Sequence, residues 1–179
     1  MSIIKKIIII LPIFFLSLLA QSSADEIKKI GKFKDWEAMV VTEATGKVCF
    51  AQSSPILQAP KSNKRDAKLF IAFRPSEKII NEVSVTAGYE FNKNNSITAT
   101  SGKNKFKFDI KEQGFAWIAD NKIELKMIKQ MRKGSRIMIT GYNQKGSQTI
   151  DHYSLLGFTK AYNDSRKACT YGRSLRSAE

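Results

Sequence analysis

Residues 25–179 read as a mainly β chain, an antiparallel β-sandwich carrying two short helices. At least seven short apolar runs are separated by turn signals, and only two stretches follow helical spacing. Two cysteines near the ends of the segment, Cys49 and Cys169, add one end-to-end staple. Runs this short cannot hide their apolar faces singly, and two sheets packed face to face is the arrangement that does.

The first runs are Trp36 to Val41 and Val48 to Gln52, with the turn signal Thr45-Gly46 between them, which predicts a hairpin. After a Pro-containing, low-complexity loop from Ser53 to Lys68 comes Leu69 to Phe73, stopped at Pro75. Val83 to Ala87 alternates apolar with small polar residues and ends at Gly88. Lys105 to Lys111 has the cleanest two-residue period, with Phe106, Phe108 and Ile110 on the face assigned to the core and Lys105, Lys107, Asp109 and Lys111 on the wet one. Phe115 to Ile118 is a further short strand, and Arg136 to Tyr142 pairs with Gln148 to Ser154 across Asn143-Gln144-Lys145-Gly146. Trp36 and Trp117 are assigned to the core.

Two segments break the strand pattern. Asn121 to Lys133 sets Ile123, Met127, Ile128 and Met131 on one helical face, with Asp120 or Asn121 as cap, Gly134 as stop and Glu124 inside the apolar face. A strand through Ile123, Leu125 and Met127 is the competing reading. Gly157 to Cys169 puts Phe158, Tyr162, Ser165 and Cys169 on one side of a helix, opposite Lys160, Asn163, Asp164 and Lys167, so that Cys169 points inward.

Ahead of these elements, Lys5 and Lys6 precede an apolar run from Ile7 to Ala20, followed by the small-residue boundary Ser22-Ser23-Ala24. A positive region, a short greasy region and a small-residue cut site make residues 1–24 a cleaved export signal. An uncleaved anchor is the alternative, but a spanning helix needs about 20 apolar residues. This run has fourteen and is interrupted by Pro12. The expected product, residues 25–179, is a single domain placed in the periplasm or secreted.

In an oxidising compartment the two cysteines are expected to pair as one disulfide, Cys49 to Cys169. Two separately buried thiols are the alternative. A metal site is poorer still, since two cysteines and a single histidine do not make the usual tetrahedral set.

The net charge of +14 becomes +12 once Lys5 and Lys6 leave with the signal (14 − 2), and a basic exported protein meets anionic neighbours. The expected partners are an anionic envelope polymer, a membrane surface or a host-surface protein, with no nucleic acid, cofactor, metal or small-molecule substrate indicated. Lys103, Lys105, Lys107 and Lys111 on one predicted strand, and Lys61, Lys64, Arg65 and Lys68 in the loop before the third strand, are the candidate anion contacts. Against them stand an AT-rich coding bias, with 23 lysines to 7 arginines, and the use of lysine on edge strands to deter aggregation.

No catalytic residue is assigned. Asp151, His152 and Ser154 can be written as a triad, but neighbours on a strand face opposite ways, so Asp151 cannot orient His152. The sequence has no nucleophile elbow, phosphate-cradling glycine loop or metalloprotease helix motif.

Several blocks resemble a known family. Trp36, Gly46-Lys47-Val48-Cys49-Phe50-Ala51, and the stretch Asn81 to Phe91 are similar to the invasion-associated locus B family of bacterial exported proteins. Phe115-Ala116-Trp117, Met131-Arg132-Lys133-Gly134, Gly141, Thr149 to Phe158 and Lys167-Ala168-Cys169 follow in the expected order, so the likeness runs from Trp36 to Cys169. It implies an immunoglobulin-like sandwich and an exported protein with no established catalysis. Named members are linked to entry of pathogens into red blood cells, a role that does not transfer with the fold. Some members carry a further cysteine where this chain has Met39, Val40 and Val41, so any bridge depending on it is absent here.

Overall fold

A computed structural model describes residues 26–62 and 64–174, with side chains described as far as Thr170. The expected export signal lies outside the described residues. Two antiparallel sheets face each other across one apolar core. The larger has seven strands in the order β1-β2-β3-β5-β6-β10-β9, and the smaller has five in the order β4-β12-β11-β7-β8. Their ranges are β1 Glu26–Phe33, β2 Trp36–Glu43, β3 Gly46–Ser53, β4 Leu57–Ala59, β5 Lys68–Arg74, β6 Ile79–Thr86, β7 Ile97–Ser101, β8 Asn104–Phe108, β9 Ile110–Glu112, β10 Phe115–Trp117, β11 Arg136–Tyr142 and β12 Gln148–Ser154. Helix α1 spans Asn121–Met131 and α2 spans Phe158–Ser174.

Both predicted hairpins are present: β2 pairs with β3, and β11 with β12, in antiparallel register. Helix α1 also starts where its cap indicates. The Asp120 side chain accepts from the Lys122 backbone N–H at 2.7 Å, satisfying one orphan donor of α1. Glycine is required where β12 turns into α2, because Gly157 has φ +90° and a Cβ there would lie 1.7 Å from the Phe33 carbonyl oxygen. Strands β1, β4 and β7 were not anticipated, and β4 falls inside the segment read as a loop.

Two expectations are corrected. The run from Lys105 to Lys111 is not one strand: β8 belongs to the small sheet and β9 to the large one, with Asp109 at the corner. The Asp109 N–H donates to the Trp117 carbonyl at 2.8 Å, which redirects the chain from one sheet to the other. Phe106 and Phe108 accordingly face the core, whereas Ile110 is 47% exposed. Trp117 is also outside the core; it is half-buried on the outer face of the large sheet, paired across to Ser84 and Ile110.

Trp36 is fully buried and links the layers: its indole N–H donates to the Ser154 carbonyl at 2.8 Å, and its ring meets Phe158 edge-on at 4.8 Å. Both halves of that side chain are therefore satisfied, the apolar body by packing and the N–H by a bond. Helix α2 turns Phe158, Ala161, Tyr162, Ser165 and Cys169 inward, and Cys169 is bonded to Cys49 on β3 with Cα atoms 5.8 Å apart. The Tyr162 hydroxyl donates to Asn81 at the irregularity in β6, fixing the middle of the same helix.

Candidate functional site

Of the predicted anion contacts, Lys105 and Lys107 lie on the outer face of the small sheet, with Lys103 at the turn before them. Alternation turns Ile137, Ile139, Thr149, Asp151 and Tyr153 inward and Arg136, Met138, Thr140, Ile150 and His152 outward. Pairing then sets Leu57, His152, Met138, Thr100 and Lys105 in one row across the sheet, and Ala59, Ile150, Thr140, Thr98 and Lys107 in the next. Among the described residues, none of the outward positions in these five strands is a carboxylate. The nearest acid noted is Asp109, just past β8, whose carboxylate lies 3.7 Å from the Lys107 ammonium. The face is thus hydroxyl-rich and basic. Lys103 and Lys105 are exposed beside Lys107 at its β8 edge.

The structure separates the other predicted contacts. Lys61 and Lys64 are exposed on the loop after β4, at the opposite edge of the same sheet. With four strand spacings between the edges, that is about 19 Å from β8. Lys111 is not aligned with Lys105 and Lys107, since the corner at Asp109 carries it to the large sheet. Its ammonium donates to the carbonyls of Asn92, Lys93 and Asn95 at 3.0, 2.6 and 2.9 Å and anchors the loop before β7. Arg65 is an internal strut. Its guanidinium makes a two-pronged bond to Asp151 at 2.9 and 2.6 Å and also donates to the Ala87 carbonyl, with side chains only 9% and 3% exposed.

This pair explains the rest of the would-be triad. Asp151 faces inward to Arg65 and His152 faces outward, so the carboxylate and the imidazole lie on opposite sides of β12. The Ser154 hydroxyl accepts from the Leu156 backbone N–H at 3.2 Å. Burial pushes the Tyr153 hydroxyl well above its ordinary range, and the Asp151 charge adds to that. Among the described residues no group of three His, Cys, Asp or Glu gathers as a metal centre would need.

A second concavity, of about 530 Å³, opens on the large sheet beside the N-terminus of α1. Ile80, Ile110, Trp117 and Ile118 supply its apolar wall, and Arg74, Lys78, Glu82, Glu112 and Glu124 supply charge. Glu124, 5% exposed, accepts from the Val83 backbone N–H at 2.7 Å and from the Asn121 amide at 3.3 Å. Burial outweighs these bonds and, with the nearby Glu82 and Asp120 charges, pushes its carboxyl up to about 7.

A carboxyl raised on folding makes the folded state hold more protons than the unfolded one between about 4.5 and about 7, so stability falls as pH rises through that window. Glu124→Gln removes the ionisation. Relative to the parent it is expected to gain on the order of 2–3 kcal/mol between pH 4.5 and pH 8. Denaturant unfolding at the two pH values checks this, and a difference independent of pH would refute it.

An exported-type β-sandwich with one end-to-end disulfide and a basic outer face is the class these features define. The family model described as "Invasion associated locus B (IalB) protein" matches residues 36–166, and the chain belongs to that family. Its members are exported proteins and are not known as enzymes. Among solved structures, the chain is similar to invasion associated protein B from Bartonella henselae, with a TM-score of 0.55 and 13% identity over 82% of this chain and 98% of that one. That likeness establishes the fold. No curated protein matches the chain. No helix among the described residues is long and apolar enough to cross a membrane.

The sequence signals that bear on the Arg65–Asp151 pair and on the groove around Glu124 are an acid at an inward parity of β12 and Glu124 inside an apolar helical face.

Proposed function

We propose that the chain is a non-catalytic binding protein of the periplasm or cell surface that contacts an anionic polymer or a phosphate-bearing lipid surface. The observation that supports this reading is the outer face of the small sheet, where lysine, arginine, threonine and histidine share a surface with no outward carboxylate in its strands. Phosphate groups fit such a face because ammonium and hydroxyl donors are spread across it rather than gathered in a pocket. Contact with a host surface, which the family's name suggests for its members, would use the same chemistry. Lys61 and Lys64 extend the basic surface to the far edge; Arg65 and Lys111 are already engaged by the protein.

Retention of the exported chain on lipopolysaccharide across a salt series tests the proposal. Near an anionic surface each lysine contributes about 1 kcal/mol. Converting Lys105 and Lys107 to glutamate is therefore expected to weaken capture by at least about tenfold. Capture by the parent should also fall steeply with salt.

A structural or protective envelope protein with incidental basicity is the second reading, favoured by the position of β8. It is an edge strand, and lysines there block edge-to-edge pairing without any ligand. On that reading the charge-reversed protein loses solubility or gains aggregation while capture, if any, is unchanged.

A further inference from the structure

The opposite side of the sandwich has the reverse character. On the outer face of the large sheet, Met39, Phe50, Phe70, Phe115, Trp117 and Ile110 form an apolar stripe crossing from β2 to β9. Phe50 meets Phe70 at 6.0 Å, Phe70 meets Phe115 at 6.2 Å, and Phe115 stacks on Trp117 at 5.7 Å. The small residues Ala72 and Ser84 lie buried as its floor. Helix α2 packs on the inner side of this sheet through Cys49, and α1 touches the stripe only at the rim, in the groove beside Trp117. Neither helix covers the stripe. Phe115 and Ile110 are 36% and 47% exposed and the other four are half-buried, and contiguous accessible apolar side chains of this kind mark an interface rather than a solvated face.

Charge indicates what covers it. Two copies of a chain that carries +12 after export repel each other over most of their surfaces. Around the stripe, however, several cations stand against acids: Lys29 with Glu37 at 2.7 Å, Lys68 with Asp66 at 2.9 Å, and Arg74 with Glu77 and Glu82, while Lys32 lies opposite the same Glu37 in register. We propose that this face docks a second copy of the same chain, giving a back-to-back dimer about a two-fold axis. The stripe crosses five strand spacings, about 24 Å, and about three side-chain rows, which suits a weak rather than an obligate dimer. Each basic face then points outward, so the dimer presents two anion-contact surfaces. The docking itself does not depend on the polyanion reading.

Sedimentation of the exported chain from about 1 μM to about 500 μM, with tryptophan emission followed on dilution, tests the proposal. Trp36 is fully buried and constant, so a concentration-dependent shift reports Trp117. The expected result is a reversible dimer with Kd in the tens of micromolar, tightened by about 0.5 M salt as net repulsion is screened. Phe70→Lys is expected to raise Kd at least tenfold while Lys105→Glu does not weaken it. Ile110→Lys, at a site 47% exposed, is the second variant should Phe70→Lys fail to fold. A monomer throughout the range, or a dimer indifferent to both stripe variants, would overturn the proposal. So would a monomer that floats with phosphatidylcholine vesicles in high salt, which would assign the stripe to lipid.

Discussion

Replacing Cys49 and Cys169 together by alanine is expected to lower the free energy of unfolding by about 4–5 kcal/mol. The bond joins residues 120 apart, and in the chain-entropy description closing a loop of that length removes about 5 kcal/mol of conformational freedom from the unfolded chain. The native side should change little. Phe158 and Tyr162 stay buried against Trp36 and Phe73, and the Tyr162 hydroxyl keeps its bond to Asn81, so α2 retains its seat without the sulfurs. The loss therefore acts on the unfolded state, which becomes more expanded, and the denaturant slope should rise as the midpoint falls. Urea unfolding with and without a thiol reductant checks both points: reductant should bring the parent to the level of the double variant and leave the variant unmoved. A reduced parent within about 1 kcal/mol of the oxidised one would remove the staple from the account of this fold.

How far the sequence reaches is clearest where parity fails. In Val48 to Gln52 and Leu69 to Phe73 apolar residues occupy both parities, so no alternation says which set faces the core. Cys49, Ala51, Leu69, Ile71 and Phe73 took the inside, and Phe50 and Phe70 were left for the outer stripe. Apolar residues on both parities are what a strand covered on both faces requires. That signal was present, and it indicates the docking face that the two-layer reading had no use for. In Lys105 to Lys111 the period of two is intact through a sheet change, because alternation records the direction of each side chain and not which sheet its strand has joined. Lys111 was misassigned for that reason. The hairpins, both helices and the disulfide were legible because each depends on local signals or on there being only two cysteines. Strand β7, reading Ile97-Thr98-Ala99-Thr100-Ser101, was missed because its inward residues are mostly small.

Charge was legible as a total and not as a distribution. Composition gives the excess of lysine over acid, but the fold alone decides that the described outward positions of the small sheet carry no carboxylate while several charges at the rim of the large sheet fall in matched pairs. The segregation matters for how the molecule can be approached. On the proposed readings a polyanion would approach one side and a like-charged copy the other.

Asp151→Ala is expected to destabilise the protein by about 3–5 kcal/mol, because it leaves the Arg65 guanidinium buried with backbone carbonyls but no counter-charge. Arg65 ties the loop between β4 and β5 to β12: Gln58 bonds its backbone at both ends, its guanidinium reaches Asp151, and it lies 5.6 Å from the centre of the Tyr89 ring. The cost arises from an uncompensated charge and not from the worth of the pair, so removing both charges should cost much less than removing one. Arg65→Met with Asp151→Leu is accordingly expected to recover most of the loss, and a double-mutant cycle by denaturant unfolding measures the coupling. Additive single losses would show that the two groups act independently, and the pair would then have no part in holding the loop against the sheet. The coupled result instead sets Arg65 apart from the exposed lysines of the neighbouring loop, as a residue whose replacement weakens the fold.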